Sequence, residues 1–153
     1  MKPDQRLRET EQFLHQQIPL TRAMQVRVES YGDGQLTVTA PLQPNHNHLG
    51  TAFGGSLAAL VMLAGYAFLW LELGDREAHL VVSESTLRFR RPVRAIIRAS
   101  CRQPNEATMA AFKAEFAATA KSRIRLSVVI EEEGQSAVEF AGTYVARRAP
   151  AAS

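Results

Sequence analysis

The residues best suited to chemistry in this 153-residue chain sit just ahead of its longest apolar stretch. They are Asn45-His46-Asn47-His48 and, a few positions later, Phe53-Gly54-Gly55-Ser56. The first turn of a helix has backbone N–H groups without intrahelical partners and the positive end of the helix dipole, so an oxyanion is stabilised there. Gly54 and Gly55 would let a substrate carbonyl approach that backbone closely, as an oxyanion hole requires. A blander reading is also open, in which the glycines serve tight packing at the helix entry and Ser56 is only its N-cap. His46 and His48 flank Asn47, and histidine is the side chain suited to activating water near neutral pH; the alternative is that they merely solvate an exposed loop. Further along, Ser83 and Ser85 share a strand face with Leu87 and Phe89, while Glu84 points the other way unless a bulge intervenes. No His, Cys, Asp or Glu residues show metal-ligand spacing, so no metal and no cofactor are expected. The single Cys101 cannot form an intramolecular disulfide and reads as a small, buried, inert side chain.

The element that must position these groups is the run Gly54–Leu73, GGSLAALVMLAGYAFLWLEL, which has no charge until Glu72. Apolar residues go all the way round its helical wheel, which predicts a helix buried on every side. Its length just admits a membrane span. Its alanines and glycines, the lack of a one-sided basic flank and the strand-like segments on both sides favour burial in protein instead.

Around this helix the pattern predicts a helix over 4–17 ended by Pro19, and strands over 23–29 and 35–42 joined by a Tyr31-Gly32-Asp33-Gly34 turn. Strands over 79–91 and 95–103, a small helix over 107–120, and strands over 123–131 and 137–147 follow. The fold class is therefore α+β, an antiparallel sheet wrapped around one long helix, with residues 1–148 as one domain and 149–153 as a disordered tail. With 46% hydrophobic residues the chain can bury one core. The N-terminus is charged rather than signal-like, which predicts a cytoplasmic protein.

A net charge of +3 and a pI near 9.4 come largely from Arg88, Arg90, Arg91, Arg94, Arg98 and Arg102. These read mainly as the solvated face of two strands, with phosphate binding as the alternative. Nucleic acid is not expected as a partner, because no exposed aromatics are interleaved and no recognition motif is present.

The spacing Asn47-x-x-Gly50-x-x-Phe53-Gly54-Gly55, followed by a long apolar helix and paired strands, resembles the hot-dog fold thioesterases over nearly the whole chain. The stretch PLQPNHNHLGTAFGGSL is most similar to the putative-thioesterase subgroup that also occurs fused behind a GNAT acetyltransferase domain. The resemblance implies a homodimer joined through the strand after the helix, with pairing into tetramers left open, and two acyl-thioester sites at the dimer interface. It also implies that Asn47 and the backbone of Gly54 and Gly55 hold the thioester and water. Phe53, Ser56, Met62, Ser83 and Ser85 then line the substrate.

Two positions depart from the better-known pattern: Phe53 stands where a His precedes the glycine pair, and Met62 where a helix carboxylate follows. Glu72 is no replacement, being roughly 25 Å from Gly55 along the helix. Hydrolysis of an acyl-CoA or acyl-carrier-protein thioester is the leading expectation. A non-catalytic acyl-thioester binding or sensing module is the alternative. Dehydratase chemistry, which other hot-dog proteins perform, would need an Asp or Glu and a His at the site.

Overall fold

A computed structural model describes residues 2–148; the tail expected to be disordered, 149–153, lies outside them. The chain forms α1 (Pro3–Gln17), α2 (Pro19–Ala23), β1 (Arg27–Gly32), β2 (Gln35–Ala40), α3 (Gly54–Leu73), β3 (Ala78–Phe89), β4 (Ile97–Arg102), α4 (Glu106–Thr119), β5 (Lys121–Glu132) and β6 (Gln135–Arg148). The six strands make one antiparallel sheet in the order β1-β2-β4-β5-β6-β3. Helix α3 lies across it against β2, β3, β4, β5 and β6. By length and mean hydropathy of 1.8 this helix could cross a bilayer, but here the sheet takes up its apolar surface.

The turns follow from the residues that tolerate left-handed backbone. Asp33 (φ 51°) and Gly34 (φ 72°) close the β1–β2 hairpin, and Glu133 (φ 52°) and Gly134 (φ 75°) close β5–β6, as two-residue hairpins require. Gly74 ends α3 in the same conformation, its N–H donating to the Trp70 carbonyl. Inward residues of β5, namely Ile124, Leu126, Val128 and Ile130, are buried as expected, and Met109, Phe112 and Phe116 bury one side of α4.

The bounds of two strands and the enclosure of the central helix need correction. The strand expected over 23–29 begins only at Arg27, because Pro19 starts a new helical turn, α2, as well as ending α1. Met24, Val26 and Val28 are buried, but Met24 caps α2 and Gln25 takes φ 58°; a helix end followed by a strand mimics alternation. The strand expected over 35–42 stops at Ala40, and a 3-10 turn, Gln43–Asn45, follows.

Nor is α3 enclosed on every side. Ala59, Met62, Tyr66, Trp70 and Leu73 form a half-buried stripe. Its C-terminal end is covered by α1, whose Phe13 ring stacks on Trp70 at 3.9 Å. Helix α1 also shields the free edge of β1, where the Val28 N–H donates to Glu11 at 3.0 Å. At the opposite edge, β3 pairs only with β6 among the described strands.

Candidate active site

The chain reaches α3 through a loop that is tied to itself. The side-chain Oδ1 of Asn47 accepts from the N–H of Leu49 (2.8 Å) and of Thr51 (3.2 Å), and its Nδ2 donates to Thr51 Oγ1 (2.9 Å). The backbone adds Asn47 N–H to Thr51 O (2.7 Å) and Gly50 N–H to Asn47 O (3.1 Å), the latter with Gly50 at φ 78°. His46 is exposed and bridges Ala52 across the loop. Its Nδ1 lies 2.8 Å from the Asn47 carbonyl. A carbonyl only accepts, so Nδ1 carries the proton and the lone pair of the neutral ring sits on Nε2. His48 is exposed.

Helix α3 then starts without a side-chain cap. Phe53 is the N-cap residue, in extended backbone (φ −66°, ψ 133°), and the first intrahelical bond runs from Leu57 N–H to Phe53 O at 3.0 Å. The N–H groups of Gly54, Gly55 and Ser56 have no acceptor among the described residues. Ser56 lies inside the first turn and does not cap it, which corrects the blander reading. Gly55 has a packing reason as well, which Gly54 lacks. Any Cβ on Gly55 would collide with the Phe53 ring, and one on Gly54 would meet the Phe89 ring at 3.9 Å. Both rings are exposed, Phe53 by 56% and Phe89 by 55%, so the helix start opens to solvent between two aromatic side chains.

Phe89 comes from the far end of β3, and a β-bulge decides which side chains of that strand follow it. The register shifts between Val82 and Glu84. Val82 pairs with Tyr144, whose hydroxyl reaches the Met62 carbonyl of α3 at 2.7 Å, so Val82 faces the helix. Beyond the bulge Ser85, Leu87 and Phe89 pair with Gly142, Phe140 and Val138 and face the helix too, while Glu84 pairs with outward-facing Thr143. The expected grouping of Val81, Ser83, Ser85, Leu87 and Phe89 on one face is thus broken, because one extra residue reverses the alternation. Ser83 lies at the bulge, where its hydroxyl donates to the Thr143 carbonyl at 3.4 Å. Glu84 stays on the outer face with Thr86 and Arg88, away from Gly54.

Met62 lies half-buried on α3, about 12 Å along the helix from Gly54. Glu72 is held by Lys113 at 3.0 Å. Of the arginines, Arg90 pairs with Glu139 at 2.8 Å and Arg98 with Glu29 at 3.3 Å; the Arg90 hydrogen bond holds the Glu139 carboxyl below its ordinary range. No cluster of three or more His, Cys, Asp or Glu that could hold a metal occurs among the described residues. Cys101 is buried, and desolvation pushes its thiol up to about 12.

Two residues to which the sequence assigned no individual role shape the site. Phe89 read only as a strand residue, and nothing in its neighbourhood signals that it reaches the helix start. Asn45 read as part of a polar, solvated loop, yet it is only 2% exposed. Its Nδ2 donates to the Met24 carbonyl (2.9 Å) and the Pro41 carbonyl (2.8 Å), and its Oδ1 has no partner among the described residues. A buried orphan acceptor costs about 1–3 kcal/mol.

A long helix laid across a curved six-stranded antiparallel sheet is the hot-dog architecture. Residues 7–148 match the family model YiiD_C, "Putative thioesterase (yiiD_Cterm)", and the chain belongs to that family. A solved structure of a protein of unknown function from Chlorobaculum tepidum is 33% identical (TM-score 0.86, covering 96% of this chain and 97% of that one). A putative thioesterase from Shewanella oneidensis is 29% identical (TM-score 0.80, 96% and 99%). A probable thioesterase from Pseudomonas aeruginosa is 25% identical (TM-score 0.79, 93% and 95%). Family and neighbours together support thioesterase activity.

Proposed function

We propose that the protein hydrolyses the thioester of an acyl-CoA or an acyl-carrier protein at the start of α3. The observation that carries this reading is the uncapped, solvent-open helix start, whose Gly54, Gly55 and Ser56 N–H groups are unengaged among the described residues. The thioester carbonyl oxygen accepts from the N–H of Gly54 and Gly55, and water adds to the carbonyl carbon. Negative charge then develops on an oxygen already facing the positive end of the helix. Collapse of the tetrahedral intermediate breaks the C–S bond, and the proton lost by water goes to the departing sulfur, leaving a carboxylic acid and a thiol.

The base that takes the proton is neither a His at position 53 nor a carboxylate at 62. His46 Nε2 is the first candidate, because its tautomer is set by the Asn47 carbonyl. His48 is the second. Asn47 acts through its loop, since Oδ1 is taken up by two backbone N–H groups and one Nδ2 proton by Thr51. Phe53, Met62 and Ser85 line the path to the carbonyl, with Leu87 and Phe89 beside them.

The unpaired side of β3, with exposed Val81 and Phe89 beside it, supports a homodimer in which β3 pairs with its symmetry mate. Sedimentation at micromolar concentration tests this; a persistent monomer refutes it.

A panel of acyl-CoAs with a thiol reagent tests the hydrolase. Turnover lost in Asn47→Ala and reduced in His46→Gln is the expected result. Saturable acyl-CoA binding without thiol release would instead establish a non-catalytic acyl-thioester binding module, the reading favoured by Phe53 and Met62.

A further inference from the structure

Asn45 ties three separate segments together from one buried position. Its Nδ2 gives one proton to the Met24 carbonyl, where the α2 segment ends, and the other to the Pro41 carbonyl, just past β2. Both partners are carbonyls and only accept, which fixes the orientation of the amide. Its backbone N–H donates to Leu42 O at 2.9 Å, and its backbone carbonyl accepts from Phe53 N–H at 2.7 Å. Phe53 is the N-cap of α3, so the residue that sets where the helix starts hangs directly on Asn45. The side-chain oxygen is buried without a partner among the described residues.

From this geometry we infer that Asn45 is a positioning residue for the site. It joins the N-terminal helical segment, the end of β2 and the first turn of α3, and thereby fixes the Gly54 and Gly55 N–H groups relative to the sheet. This rests on the hydrolase reading above only for the meaning of kcat; the tie itself is independent of it. Catalytic donors tolerate little displacement, and misplacement of about 1 Å costs roughly a hundredfold in rate.

The test is Asn45→Asp, which keeps the side-chain shape and replaces both N–H donors by an oxygen facing two carbonyls. The expected result is a kcat lower by about a hundredfold with KM for the same acyl-CoA unchanged. A purely structural role would lower the melting temperature and leave kcat per folded site intact, so folded Asn45→Asp with wild-type kcat overturns the inference. If that variant does not fold, amide exchange in the wild type decides. Phe53 N–H protected like the interior of α3 supports the tie, and exchange as fast as at the exposed His48 overturns it. If the wild type releases no thiol, the hydrolase reading fails separately. Asn45 is then judged by the Kd of a non-hydrolysable acyl-CoA thioether, weakened in Asn45→Asp if the inference holds and unchanged if it does not.

Discussion

Replacing Gly54 by proline removes one backbone N–H from the start of α3 with little other change. Proline is accepted at the first helical position, where its missing N–H has no intrahelical role. The residue before it must be extended, and Phe53 already is, at φ −66° and ψ 133°. A Cβ at this position meets the Phe89 ring at 3.9 Å, an ordinary contact, so the variant is expected to fold with close to wild-type stability. Loss of one oxyanion donor costs about 2.7–4 kcal/mol, or about 100- to 1000-fold in kcat. Gly54→Ala is the control, since it adds the same Cβ and keeps the N–H; its kcat should stay within a few-fold of wild type. The assay is steady-state thiol release at saturating acyl-CoA, with circular dichroism to establish folding. Equal kcat in wild type, Gly54→Ala and Gly54→Pro would refute the oxyanion-hole argument. An equal fall in both variants would assign the effect to packing against Phe89 instead.

Four other outcomes are expected. Gly65→Ala should lower the unfolding free energy in urea by about 1–3 kcal/mol, because its Cβ would collide with the Tyr144 hydroxyl that bonds the Met62 carbonyl. Cys101, with its thiol pushed up to about 12 by burial, should not react with a thiol reagent in the native protein and should react at once in denaturant; rapid native labelling would contradict its burial. Asp75 is held below its ordinary carboxylate range first by the Arg148 hydrogen bond, so its stabilising contribution is present above the unfolded-state value and is lost as pH falls through the lowered one. Arg148→Gln should therefore flatten the acid limb of the stability-pH curve, and an unchanged limb would count against that pair. Apolar Phe53 and Met62 should favour hexanoyl- or dodecanoyl-CoA over acetyl-CoA, at about 0.8 kcal/mol or roughly fourfold per buried methylene; equal specificity constants would refute this.

Much of this protein is written locally. The bounds of α3 match the apolar run because an uninterrupted run of helix-compatible apolar residues ended by Gly74 has one way to satisfy its backbone and hide its side chains. The hairpin turns, the buried face of β5 and the buried side of α4 follow from period and turn chemistry, which need only neighbours in sequence. The motif Asn47-x-x-Gly50-x-x-Phe53-Gly54-Gly55 likewise marks the start of α3, and the family match over residues 7–148 bears out the resemblance it carries. What tertiary structure alone decided are the relations between distant segments. A bulge at Val82/Glu84 turns Ser85, Leu87 and Phe89 toward α3, and nothing local announces it, since bulging depends on the partner strand β6. Phe89 meets Gly54 only because β3 folds back along the helix. Asn45 looks like any loop asparagine until Met24, Pro41 and Phe53 are brought around it. Periodicity reports which side of an element is apolar, whereas hydrogen bonds between segments far apart in the chain exist only once folding has set their distances.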